Sequence, residues 1–87
     1  MTFLFLDQID DQIRYGKEKY GHFNSCHEGY GVLLEEVNEF WDLVKVNKTK
    51  NYDHDALRNQ MVNELIQIAS VSIRLATEIH TEKIKHL

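Results

Sequence analysis

Proline is absent from the 87-residue chain, and its four glycines, Gly16, Gly21, Gly29 and Gly31, all fall within one third of it. Both ends are therefore free of the strongest helix breakers. A single cysteine, Cys26, cannot form an intrachain disulfide, so a reducing compartment and a cytoplasmic location are expected. No stretch approaches the roughly 20 apolar residues needed to cross a bilayer. Phe3 to Leu6 are apolar but lack a basic lead and are followed by Asp7, so they do not make a signal-peptide core. Positive charge is also scarce: 10 Lys and Arg against 14 Asp and Glu leave −4 with histidine neutral. Phosphate-backbone binding normally needs a surplus of Lys and Arg on one face, which argues against a nucleic-acid partner.

What is present fits a single globular domain over residues 1–87. Apolar residues make up 43% and charged residues 28%, a balance that neither a disordered chain nor a membrane protein shares. From Phe3 to about Tyr20, apolar residues recur at Leu6, Ile9, Ile13 and Tyr20, which is helical spacing. Tyr20 to Ser25 reads as a turn. Ser25 with Glu28 forms an S-x-x-E capping box, and a second helix is expected to start there. Its stripe of Tyr30, Leu33, Leu34, Val37, Phe40, Trp41 and Val44 runs opposite Glu35, Asn38, Glu39 and Asp42.

Residues Val46 to His54 carry no periodicity and read as a loop, with Asp53 or Asp55 placed to cap the next helix. That third helix is expected from about Ala56 to about His80. Its apolar residues cover over half the helical circumference, so it must be buried on more than one side. Three helices of this size cannot bury so wide a surface alone. The expected fold is all-α, with three main helices per protomer and a four-helix-bundle core completed by a dimer partner.

Carboxylates at the edge of that core carry the functional signal. Glu36 and Glu39 are three residues apart, so they lie on one helical face a turn from each other and can share a cation. Glu64 has Leu57, Met61, Ile68 and Val71 as its one- and two-turn neighbours, which sets a carboxylate inside the face that must be buried. Such a group takes up a proton or finds a cation or hydrogen-bond partner. Three converging carboxylates would repel one another, and Mg²⁺ is the usual remedy because it prefers hard oxygen ligands. A metal so held commonly handles phosphate esters. The bland reading of Glu-x-x-Glu by itself is a solvated helix face.

The run Leu33 to Phe40 (LLEEVNEF), followed 24 residues after Glu39 by Asn63-Glu64-Leu65-Ile66-Gln67, resembles the MazG-like all-α nucleotide pyrophosphohydrolases, whose mark is Glu-x-x-Glu, a spacer and Glu-x-x-Asp. The resemblance covers roughly residues 28 to 76. It implies a homodimer or dimer of dimers, Mg²⁺ on the acidic cluster, and cleavage of a nucleoside triphosphate to a nucleoside monophosphate and pyrophosphate. Glu36 and Glu39 match the first pair and Glu64 the second glutamate, while Gln67 stands where the family has aspartate. An amide oxygen coordinates a cation but brings no charge, so metal affinity should fall or another carboxylate, with Glu35 nearest, must help. On this reading Glu36, Glu39, Glu64 and Gln67 are the metal ligands, and Glu35 or Glu39 orients the attacking water. The competing reading is a catalytically impaired helical nucleotide-binding or oligomerisation module of the same fold.

Basic, zinc-type and aromatic residues elsewhere in the chain offer further candidates. Lys45, Lys48 and Lys50 gather after the second helix and Arg58 and Arg74 sit on the third; Lys45, Lys48 and Arg58 are the candidate contacts to substrate phosphates. Taken singly, Lys45 at a helix C-terminus complements the dipole, and loop lysines are usually solvated. His22, Cys26 and His27 lie close in sequence but offer three zinc ligands where four are usual. Tyr15, Tyr20, Phe23, Tyr30 and Trp41 are candidates for stacking on a base, with Tyr30 and Trp41 placed rather in a core or dimer interface.

Overall fold

A computed structural model describes residues 4–46 and 53–87. They form three helices, α1 (Leu6–Tyr20), α2 (Cys26–Val44) and α3 (His54–His80), and no strand among the described residues. The chain is thus all-helical. The first helix begins at Leu6 rather than near Phe3, with Leu4 and Phe5 in a turn ahead of it. No side chain caps that end; the backbone bond from Ile9 N–H to the Phe5 carbonyl closes its first turn at 2.9 Å.

The two later helices start where polar caps precede an apolar pattern. Ser25 Oγ accepts from Glu28 N–H at 3.1 Å, satisfying one orphan donor of α2. Glu28 does not complete the reciprocal half of the box through its carboxylate, which accepts from Asn24 Nδ2 at 3.0 Å. Asp53 Oδ1 accepts from Ala56 N–H at 3.0 Å, so Asp53 rather than Asp55 caps α3, which starts at His54. The expected loop over Val46 to His54 lies mostly outside the described residues.

The 27-residue α3 is the spine of the fold. It packs against both α1 and α2, whereas α1 and α2 do not pack on each other among the described residues. Close approach of α2 to α3 depends on Gly29, where an added Cβ would collide with the Leu75 side chain. At the end of α1, Gly21 takes φ 71°, a conformation that side chains with a Cβ rarely adopt, and its N–H returns to the Lys17 carbonyl at 3.0 Å.

The C-terminus of α3 folds back on the bundle. Glu82 has φ 59°, Glu82 N–H bonds to the Ile79 carbonyl at 3.2 Å, and Lys83 N–H bonds to the Glu78 carbonyl at 2.8 Å. This is a Schellman motif closed without glycine. The reversal buries Ile84 and lets Cys26 N–H donate to the His86 carbonyl at 3.0 Å, tying the tail to the start of α2.

The hydrophobic core of the described chain is thin, with Phe23, Ile66 and Ile84 its buried members. Tyr30 and Trp41 each remain 54% exposed, and Leu34, Val37, Leu65 and Ile73 are also uncovered. No helix among the described residues is long and apolar enough to cross a membrane.

Candidate metal centre

Glu36 and Glu39, one turn apart on α2, meet Glu64 from α3, and each supplies a carboxylate oxygen such that all three lie within 4.8 Å of one another. Antiparallel packing explains the meeting: Gly29 of α2 rests on Leu75 of α3, and ten residues further along α2 Glu39 comes level with Glu64, eleven residues back along α3, with Glu36 one turn short of it. Glu36 and Glu64 are half-buried, while Glu39 is exposed. The inward reading of Glu64 thus corresponds to a half-buried residue whose Oε2 is fully enclosed and has no hydrogen-bond partner among the described residues.

The electrostatics follow from that crowding. Glu36 is pushed up to about 7 from its ordinary 4.5, first by burial, then by a hydrogen bond with Glu64 and the negative charges of Glu39, Glu64 and Glu35. Glu39 is also raised, by desolvation of its carboxyl and by the hydrogen bond and charge of Glu64. None of the ion pairs formed by described lysines and arginines involves these carboxylates. The donor set is all hard oxygen, anionic and short of compensating cations.

Beside the cluster runs a cavity of about 580 Å³ between the three helices. It exists because α1 and α2 fail to close over α3. Glu35, Glu36 and Gln67 line it next to the cluster, so Gln67 shares a wall with Glu36. Along α3 the lining continues through Ser70 and Val71 to Arg74, about 10 Å of helix rise from Gln67. Tyr15, Tyr20 and Phe23 line it as well, whereas Tyr30 and Trp41 do not.

The candidate phosphate contacts lie elsewhere. Lys45 sits at the C-cap of α2, 3.2 Å from Asp42 Oδ1 and over the Trp41 ring at 5.8 Å. Arg58 is exposed on the second turn of α3, and neither residue lines the cavity. Lys48 and Lys50 lie outside the described residues. His22, Cys26 and His27 do not converge; among the described residues Glu36, Glu39 and Glu64 are the group of three potential ligands that does.

A polar network at the far end of the cavity escaped the sequence reading. Glu78 is buried and accepts from Phe23 N–H at 2.8 Å through Oε1 and from Arg74 Nε at 3.0 Å through Oε2. Arg74, also buried, donates through Nη2 to the Gly21 carbonyl, and its guanidinium carbon lies 4.2 Å from the Phe23 ring centroid. The usable sequence signal was the i,i+4 spacing of Arg74 and Glu78. The other halves of the network are backbone groups more than 50 residues away, which no spacing rule reaches.

Compared with known proteins, the chain matches no family model, no curated protein and no solved structure.

Proposed function

We propose that the protein is a Mg²⁺-dependent nucleoside triphosphate pyrophosphohydrolase of the MazG-like kind, releasing a nucleoside monophosphate and pyrophosphate. The observation that carries this reading is the convergence of Glu36, Glu39 and Glu64 within 4.8 Å, with one enclosed Glu64 oxygen lacking any donor. A set of three carboxylates fits Mg²⁺, which takes hard oxygen ligands and keeps several waters. The raised Glu36 carboxyl is what a cation site without its cation should display. Mg²⁺ bound there supplies charge neutralisation at the phosphates and acidifies coordinated water.

The chain's own residues do the rest. Glu36, Glu39 and Glu64 would hold the ion, and the Gln67 amide would add a neutral oxygen from the wall it shares with Glu36. Glu35 or Glu39 orients a water and accepts its proton as the water oxygen bonds to the α-phosphorus. The bond from that phosphorus to the oxygen bridging the β-phosphate breaks, and pyrophosphate leaves with the electron pair. Because Lys45 and Arg58 stand outside the cavity lining, they would reach only phosphates that extend beyond it.

The proposal includes a second copy of the chain. Tyr30, Leu34, Val37 and Trp41 form a half-exposed apolar face on α2, and Leu65 and Ile73 are similarly exposed on α3. A homodimer in the cytoplasm, or a dimer of dimers, would cover that face and complete a four-helix bundle. Light scattering at micromolar concentration should return an even multiple of the protomer mass.

Gln67 favours one other reading, a nucleotide-binding or oligomerisation module that keeps the fold without catalysis. Incubation with a panel of ribo-, deoxy- and modified nucleoside triphosphates plus Mg²⁺ separates the two. Monophosphate and pyrophosphate are the expected products; no turnover of any panel member by folded protein selects the module.

A further inference from the structure

We propose that Arg74 is the specificity-determining donor of the cavity, selecting nucleobases with a carbonyl on the edge away from the sugar (uracil, thymine, guanine) over those with an amino group there (cytosine, adenine). The inference rests on the nucleotide reading above and adds the base class.

Arg74 is one of the few buried charged residues, and its guanidinium is fixed on three sides. Nε is taken by Glu78 Oε2 at 3.0 Å, Nη2 by the Gly21 carbonyl, and one face by the Phe23 ring. Nη1 has no hydrogen-bond partner among the described residues, and Arg74 lines the cavity. Room for Nη1 depends on Gly16, where an added Cβ would stand 2.8 Å away. Glu64 Oε2, and not Arg74 Nη1, is the enclosed atom without a partner among the described residues, so Nη1 is open to the cavity and is the donor that this firmly held side chain has left for a ligand.

The surroundings identify that ligand. Glu78 already offsets the guanidinium charge, and no other Lys or Arg lines the cavity, Lys19 being engaged over the Tyr15 and Tyr20 rings, so this end offers phosphate little free positive charge. Phe23, Tyr15 and Tyr20 make its walls aromatic, as a planar ring requires. The carboxylate end, where the phosphates belong, lies about 15 Å away along α3 at Glu64. A nucleotide laid along the cavity therefore turns the far edge of its base toward Nη1. Uracil and thymine present O4 there and guanine O6, whereas cytosine and adenine present amino donors that meet a donor.

Calorimetric titration with UMP, GMP, CMP and AMP in excess EDTA tests this without metal or turnover. UMP and GMP should bind about tenfold more tightly than CMP and AMP, on the scale of one hydrogen bond from a charged donor. Gly16→Ala crowds Nη1 while improving the helix propensity of α1, and should bring the four affinities within about twofold. Arg74→Lys should do the same; if it fails to fold, Gly16→Ala decides. Equal binding of all four by the parent protein, no binding of any, or a preference that survives Gly16→Ala overturns the proposal. An Arg74-dependent preference in a protein that hydrolyses no triphosphate would keep this inference and remove the hydrolase reading. Hydrolysis of all four bases alike would do the reverse.

Discussion

Two carboxylates on α3, Glu64 and Glu78, lie just beyond opposite ends of the stretch from Gln67 to Arg74 that lines the cavity, and they are treated in opposite ways. Each oxygen of Glu78 accepts a hydrogen bond, one from Phe23 N–H and one from Arg74 Nε. Glu64 faces two further carboxylates and keeps an enclosed oxygen with no donor among the described residues. A folded chain that can satisfy one buried glutamate so completely has no general difficulty in doing so. The contrast teaches that Glu78 belongs to the architecture, joining the Gly21–Asn24 linker to α3, whereas nothing among the described residues compensates Glu64, which is why the proposed cation is placed there.

The largest expected effect comes from breaking the satisfied end. Glu78→Ala removes the counter-charge of a buried guanidinium and the acceptor of Phe23 N–H. Loss of one partner of a buried pair costs about 3–5 kcal/mol, a large share of the stability of a small domain. Urea unfolding followed by circular dichroism should show this loss. A change under about 1 kcal/mol would place Glu78 among ordinary exposed pairs and erase the comparison.

Glu64→Gln should behave in the opposite sense. Replacing an uncompensated carboxylate by a neutral isostere leaves the apo protein as stable as before or more so. Parent protein at 100 times its Mg²⁺ dissociation constant should gain about 2.7 kcal/mol, and the variant should gain none. Unfolding of Glu64→Gln, or unchanged Mg²⁺ affinity in calorimetry, would make Glu64 structural as well.

The pH dependence sharpens the same contrast. Glu36 has its folded value raised to about 7 from an ordinary 4.5. The folded state therefore binds the proton more tightly than the unfolded chain, so this contribution is fully present below about 4.5 and is lost as pH rises through about 7. Without Mg²⁺, the carboxylate cluster should make stability decline across that window; with saturating Mg²⁺ the decline should vanish, because the cation replaces the proton. Thermal unfolding from pH 4 to 8 in EDTA and in Mg²⁺ reads this directly.

How much of this was legible beforehand follows from the range of each interaction. The caps Ser25 and Asp53 are local, acting over three residues, and were readable from spacing. The convergence of Glu36, Glu39 and Glu64 was also readable, because i,i+3 spacing on one helix and a carboxylate among Leu57, Met61 and Ile68 are pattern features. The Arg74–Glu78 network was not, because its remaining partners are backbone groups of a distant linker. Nor was the returning tail, where Glu82 rather than glycine takes the left-handed position and Ile84 and His86 reach the start of α2. The cavity depends on a contact that fails to form, between α1 and α2, and no periodicity records a missing contact.

Gln67 gives the smallest and most discriminating test, because it bears on whether the unsatisfied end is still in use. It shares the cavity wall with Glu36 and stands one turn beyond Glu64 on α3. Gln67→Asp adds a negative charge to a site already rich in them, and in EDTA the protein should lose on the order of 1 kcal/mol from repulsion at the dielectric of a partly open site. If the site takes Mg²⁺, the added anionic ligand tightens binding, and millimolar Mg²⁺ should restore the loss and more. Pyrophosphohydrolysis, where present, should rise with it. If the site has been abandoned, the new carboxylate joins Glu36, Glu39 and Glu64 with no cation to offset it, and the loss should persist at every Mg²⁺ concentration. Thermal unfolding of parent and variant across a Mg²⁺ series therefore decides between a weakened metal site and a relic of one, and a loss that millimolar Mg²⁺ leaves untouched would count against the enzyme while leaving the Arg74 end of the cavity to be judged on its own titration.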